Sequence, residues 1–149
     1  MPKVELKKLK IFEGLDESFF DKLMPHVSIK EFKKGNYLEH EGEESLYFYV
    51  VKSGKIAFET NIYNEKTMRL STVGAGEYFG ESSLVPPYET TTSRLAIEDS
   101  ELYLFEGKSF RQMCENNPAF GYFAMQKIAQ MLSIQLHKSR QALLHCHLG

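Results

Sequence analysis

The residues best suited to chemistry lie between Val73 and Phe105. There Gly74, Gly76 and Gly80 punctuate the chain just ahead of Glu81, Ser82 and Ser83, and a run of hydroxyls follows from Thr90 to Ser93. Glycine tolerates the positive φ of a tight turn and lets the main chain approach a ligand, and successive amides at such a turn converge on negative charge. The pattern predicts a small-anion site in which the amides of Glu81, Ser82 and Ser83 face the anion. Glu81 is then left to grip a ligand hydroxyl; an acid at a helix start is also stabilised by the helix dipole with no ligand at all. Thr90 and Thr91, nearest the turn, are the hydroxyls nominated as ligand donors. Much of the remaining run reads as scaffold, because the branched side chain of threonine suits a strand.

Other chemistries find little support. A barrel enzyme of the cupin kind needs histidines and an acid converging inside the barrel, but His26 and His40 stand alone and the other three histidines fall in the terminal helix or tail. No nucleophile–base pair, phosphate-binding Walker loop or carboxylate dyad is present, so no enzyme is expected. The two cysteines, Cys114 and Cys146, imply no disulfide framework and suit a reducing compartment. There is no apolar run of membrane-spanning length and no charged-then-apolar leader, so a cytoplasmic protein that does not engage a membrane is expected. A net charge of −2 argues against sequence-independent nucleic-acid binding, which needs a basic face. The lysines at 3, 7, 8 and 10, and at 30, 33 and 34, read as solvated surface.

Elements must position the turn. At 149 residues the chain fits one domain, with N-terminal helices over 1–27, a β-roll over 28–106 that carries the anion-binding segment at 74–93, and C-terminal helices over 107–145. Asp16 is a helix cap, and Leu15 and Phe20 sit at hydrophobic-staple spacing. From Phe32 onward short apolar runs recur about every ten residues between turns at Lys33-Lys34-Gly35, Glu41-Gly42-Glu43, Ser53-Gly54 and Asn61 to Lys66. The fold class expected is mainly β with flanking α: an antiparallel β-barrel or jelly roll (double-stranded β-helix) with N-terminal helices and a long C-terminal helix. A short helix runs to Glu115, the chain breaks at Asn116-Asn117-Pro118, and a long helix follows from Ala119 to about Leu144, with Asn117 as cap and Pro118 as first residue. On that helix Gly121, Met125, Ile128, Leu132, Leu136, Ser139 and Leu143 form one stripe. Phe120, Phe123, Ala124, Met131 and Ile134 fall outside it, and a second apolar face predicts a homodimer through the helix.

The order Gly74-x-Gly76-x-x-Phe79-Gly80-Glu81, followed by Ser-Leu and a strand ending Glu98-Asp99-Ser100-Glu101-Leu102, resembles the phosphate-binding cassette of cyclic nucleotide-binding domains. Phe32-x-x-Gly35, Glu41-Gly42-Glu43, Tyr47 to Val50 and Gly54-Lys55-Ile56 are similar to the first half of the same barrel in catabolite-activator-like proteins, as is the lead-in Leu9-x-Ile11-Phe12-x-x-Leu15. The resemblance implies a regulatory module with cAMP or cGMP as ligand and no required cofactor. The amides from Gly80 to Ser83 would hold the cyclic phosphate, and Glu81 would accept from the ribose hydroxyl. It also implies an arginine on the next strand, but Thr90 stands at that place and Thr91 where a phosphate-binding hydroxyl is expected. The one arginine nearby, Arg94, shares the face of Thr90 but lies about 13 Å away along an extended strand. A shortened strand would let Arg94-Leu95-Ala96 take the expected Arg-x-Ala place. Losing a charge-assisted bond to a buried phosphate costs on the order of 1.5–3 kcal/mol, roughly tenfold to a hundredfold in affinity. The stiff loop Val85-Pro86-Pro87-Tyr88 is a second departure, read as a rigid connector or a reshaped pocket mouth.

The resemblance further places Gln135 and Leu136 where bacterial relatives contact the base, so Gln135 joins the ligand-site candidates. Regulators of this kind continue into a DNA-binding helix-turn-helix, whereas this chain stops at Gly149, so a stand-alone sensor without direct DNA binding is expected. Two alternatives stay open. One is a dimerising scaffold with a degenerate nucleotide site; the other is a haem or redox sensor using His145-Cys146-His147, a cluster without a second ligand pair.

Overall fold

The computed structural model describes residues 3–148. The chain divides into two compact units, one running to Gln112 and one starting at Met113.

The first unit opens with helical turns, α1 (Lys3–Lys7) and α2 (Phe20–Leu23), joined through short 3-10 turns. Asp16 caps as its position predicts, its carboxylate accepting from the Ser18 amide at 2.9 Å. Eight strands follow: β1 (Val27–Phe32), β2 (Tyr37–Glu39), β3 (Tyr47–Ser53), β4 (Lys55–Ile62), β5 (Lys66–Gly74), β6 (Tyr78–Phe79), β7 (Ser93–Ala96) and β8 (Ser100–Glu106). They form two four-stranded sheets, β1-β8-β3-β6 and β2-β7-β4-β5, with every pairing antiparallel. The chain crosses repeatedly from one sheet to the other, so most paired strands are distant in sequence, the β4–β5 hairpin excepted. This is the jelly roll that the turn spacing predicts.

Between the sheets lie Phe32, Tyr49, Val51, Ile56, Phe79, Ala96, Leu102 and Leu104. In β8 both faces are covered, since Leu102 to Phe105 are all buried. The second face is closed by an aromatic cluster in which Phe105 meets Phe12 edge-on at 5.4 Å, Phe12 meets Phe20 at 5.9 Å, and Phe110 stands 6.1 Å from Phe48. The N-terminal helices and the start of α3 (Gly107–Asn116) thereby cap the sheet that carries β6 and hence the turn after it.

The second unit holds the last turn of α3 and the long helix α4 (Pro118–Leu148), which opens on Pro118 as expected and runs four residues past Leu144. Asn117 donates to the Met113 carbonyl at the end of α3 twice, through its backbone amide at 3.0 Å and its side-chain amide at 3.1 Å. The helix buries Phe120, Ala124, Ile128 and Met131, while Met125, Leu132, Leu136 and Leu143 are exposed. Of the two apolar faces read from the sequence, the one carrying Phe120 is buried, together with Ile128 of the other.

Candidate ligand site

The glycine-bracketed turn is positioned by β3. Gly76 donates to the Val51 carbonyl at 2.8 Å and Val51 to the Glu77 carbonyl at 2.9 Å, and β6 then pairs with Tyr49 and Val50. Phe79 is buried and stacks on Tyr49 at 4.9 Å. Gly80 follows at φ 95°, ψ 26°, and a Cβ there would stand 2.7 Å from the Tyr47 carbonyl oxygen and 3.2 Å from Tyr49 Cδ2. The side chain is thus forbidden by backbone handedness and by β3 itself, before any ligand is considered.

Glu81 to Ser83 form a single 3-10 turn. Ser83 is fully buried, and both its amide (3.0 Å) and its hydroxyl (2.7 Å) donate to the Gly80 carbonyl. Of the three amides expected to face an anion, the Ser83 amide is therefore engaged within the turn. Those of Glu81 and Ser82, the first two of the turn, have no acceptor inside it. Ser82 is buried and Glu81 half-buried.

The hydroxyl run is not a strand where it was expected to be one. Thr91 and Thr92 lie in a bend and β7 begins only at Ser93. Thr90 is buried, and its hydroxyl donates to the His40 carbonyl at 2.6 Å with the Glu43 carbonyl at 3.2 Å; its amide and carbonyl also bond Glu43 and Gly42. Ser93 Oγ accepts from the Glu41 amide at 2.9 Å. Thr90 and Ser93 thus staple the 40–43 turn to the 90–93 segment, while Thr91 is exposed. Gln135 is exposed on α4, in the second unit. His145, Cys146 and His147 are consecutive helical residues, so their side chains fan apart by about 100° each and do not converge on one ion.

Sequence reasoning missed two features beside the turn. The first is a buried ion pair. Glu39 and Arg94 are register partners across β2 and β7, and Arg94 Nη1 donates to Glu39 Oε2 at 2.5 Å. Tyr49 Oη donates to Glu39 Oε1 at 3.0 Å. The guanidinium lies 5.4 Å from the centre of the Phe79 ring and 6.0 Å from that of Phe58. Burial holds the Glu39 carboxyl above its ordinary range, with the guanidinium and the Tyr49 hydroxyl opposing, and burial together with Glu39 raises Tyr49. The second feature is Arg111 on α3. It donates to the Ser83 carbonyl and lies 4.1 Å from the centre of the Tyr88 ring, so the Pro-Pro-Tyr loop is docked onto a helix. Gly107 permits this approach, since a Cβ there would stand 2.9 Å from Ser83 Cβ. An acid and a base at matching inward positions of two strands was the available signal for the first; the second had none.

The family model described as the cyclic nucleotide-binding domain matches residues 29–117, more than half of the chain and all of the roll but the first two residues of β1. The chain belongs to this family. It is 28% identical to the cGMP-dependent protein kinase of Plasmodium berghei over 111 residues, covering 74% of this chain and 12% of that one. It is 26% identical to the cyclic AMP receptor protein of Thermus thermophilus over 128 residues, covering 85% of this chain and 59% of that one. The chain thus spans less than two thirds of the length of either relative. A cyclic nucleotide-binding domain from Methylobacillus flagellatus superposes with a TM-score of 0.79 over 93% of this chain and 78% of that one, at 20% identity, and shows the shared fold.

Proposed function

We propose that this chain is a non-enzymatic, cytoplasmic sensing module that takes a cyclic nucleotide at the cassette turn and passes the change to a partner through its C-terminal helix. The observation that carries the reading is the turn itself: Gly80 is left-handed, and the Glu81 and Ser82 amides have no acceptor within the turn. An anion there would meet two main-chain donors, with Glu81 placed for a ligand hydroxyl. Arg111 supports the transmission step, because it joins the cassette carbonyl of Ser83 to α3. Any tightening of the turn must pull on, or release, that bond. The exposed Leu132, Leu136 and Leu143 on α4 support a homodimer built on that helix.

The relatives name both cAMP and cGMP, so both are the ligands to test. Saturation at a hundred times Kd stabilises the fold by about 2.7 kcal/mol, a rise in Tm of roughly 5–10 °C for a chain of this size. Glu81→Ala should weaken binding roughly tenfold. A scaffold reading is favoured by one observation, the commitment of the Thr90 hydroxyl to main-chain carbonyls. It expects no shift with either nucleotide and an unchanged dimer in Glu81→Ala.

A further inference from the structure

The missing arginine at position 90 need not leave the site without a cation. Because the chain bends at Thr91 and Thr92, the spacing of an extended strand does not separate Arg94 from the cassette. Arg94 is 2% exposed, and its guanidinium lies against Phe79, the residue immediately before Gly80. Tyr49 stacks on Phe79, bonds Glu39, and comes within 3.2 Å of where a Gly80 Cβ would be. The ion pair therefore sits in the ring layer that backs the cassette turn. Its Nε–H is buried without an acceptor. A guanidinium offers five donors, and an orphaned one in an apolar layer calls for an oxygen.

We propose that Arg94 is the cation of this ligand site and that Glu39 is its built-in competitor: an anion arriving at the Glu81 and Ser82 amides takes the guanidinium from the Glu39 carboxylate. This rests on the reading that the cassette turn holds an anionic ligand. Without ligand, the carboxylate satisfies a charge that could not stay buried alone. With ligand, Arg94 exchanges one anion for another, and Glu39 keeps its bonds from the Tyr49 hydroxyl and the Leu46 amide. The chain would thus be tuned to weak binding by its own carboxylate as well as by the threonine at 90.

The test is calorimetry and thermal shift on the whole chain with cAMP, cGMP and orthophosphate, comparing wild type with Glu39→Gln, Arg94→Met and the double variant. Glutamine keeps an acceptor for Tyr49 and removes the competing charge. The proposal expects Glu39→Gln to bind its best probe at least tenfold more tightly than wild type, and Arg94→Met and the double variant to lose binding. Equal or weaker binding by Glu39→Gln overturns it, as does a double variant that binds like wild type. If Glu39→Gln does not fold, the double variant, which removes both buried charges together, decides by the same criterion. Binding by Glu39→Gln but not by wild type would sink the sensor reading and leave the competitor standing. Binding by wild type with no gain in Glu39→Gln does the reverse, and silence from every folded variant sinks both.

Discussion

Gly80 answers to two constraints, a left-handed backbone and a β3 carbonyl 2.7 Å from where a Cβ would go. Gly80→Ala should therefore destabilise the fold by about 2 kcal/mol or more, read as a lower urea midpoint with an unchanged m-value. Glu39 adds a pH dependence. Burial raises its native titration above the ordinary value of 4.5, so between the two values the folded chain holds more protons than the unfolded one. Stability should then fall as pH rises from the ordinary value through the native one, and level off above it. In Glu39→Gln that segment of the stability–pH curve should be flat, and a slope identical to wild type would contradict the assignment. Cys114 is not poised for such a role: burial first, then Glu115, pushes its thiol up to about 11.

In the function proposed above, transmission depends on the bond between the turn after β6 and α3. Arg111→Ala removes the bond to the Ser83 carbonyl and the stacking on Tyr88, and should cost about 1–2 kcal/mol of stability. Hydrogen exchange should quicken at the amides of Ser83, Leu84, Val85 and Tyr88 while the β3 and β8 amides keep their protection. Uniform quickening would mean that Arg111 supports the whole roll and not the cassette. The strands themselves were legible, because glycine and charged turns punctuate apolar runs and Pro118 marks the start of α4. The cassette turn was legible for the same local reason. Arg94 was not: a ruler along an extended strand fails where the chain bends at Thr91, and the Glu39 pairing depends on β2 meeting β7 across 55 residues. Thr90 misled for a related reason, since a hydroxyl that can serve a phosphate serves a carbonyl equally well. The buried face of α4 was undetermined because two apolar faces shared one period.

At the scale of the molecule, the proposed function needs a roll that receives a ligand and a helix that reports it. The described helices include none long and apolar enough to cross a membrane. If the exposed leucines of α4 form the dimer seam, Leu136→Glu with Leu143→Glu should turn a dimer into a monomer in sedimentation at micromolar concentration and leave the circular dichroism of the roll unchanged. A sedimentation profile unaltered by the two charges would place the dimer elsewhere or remove it.

The measurement that bears most directly on the whole account is isothermal calorimetry of the wild-type chain with cAMP and cGMP, each carried to millimolar concentration, repeated on Glu81→Ala. A cyclic nucleotide sensor shows saturable binding of at least one nucleotide, weakened roughly tenfold by the substitution. Heats of dilution alone for both, from a folded protein, would contradict it.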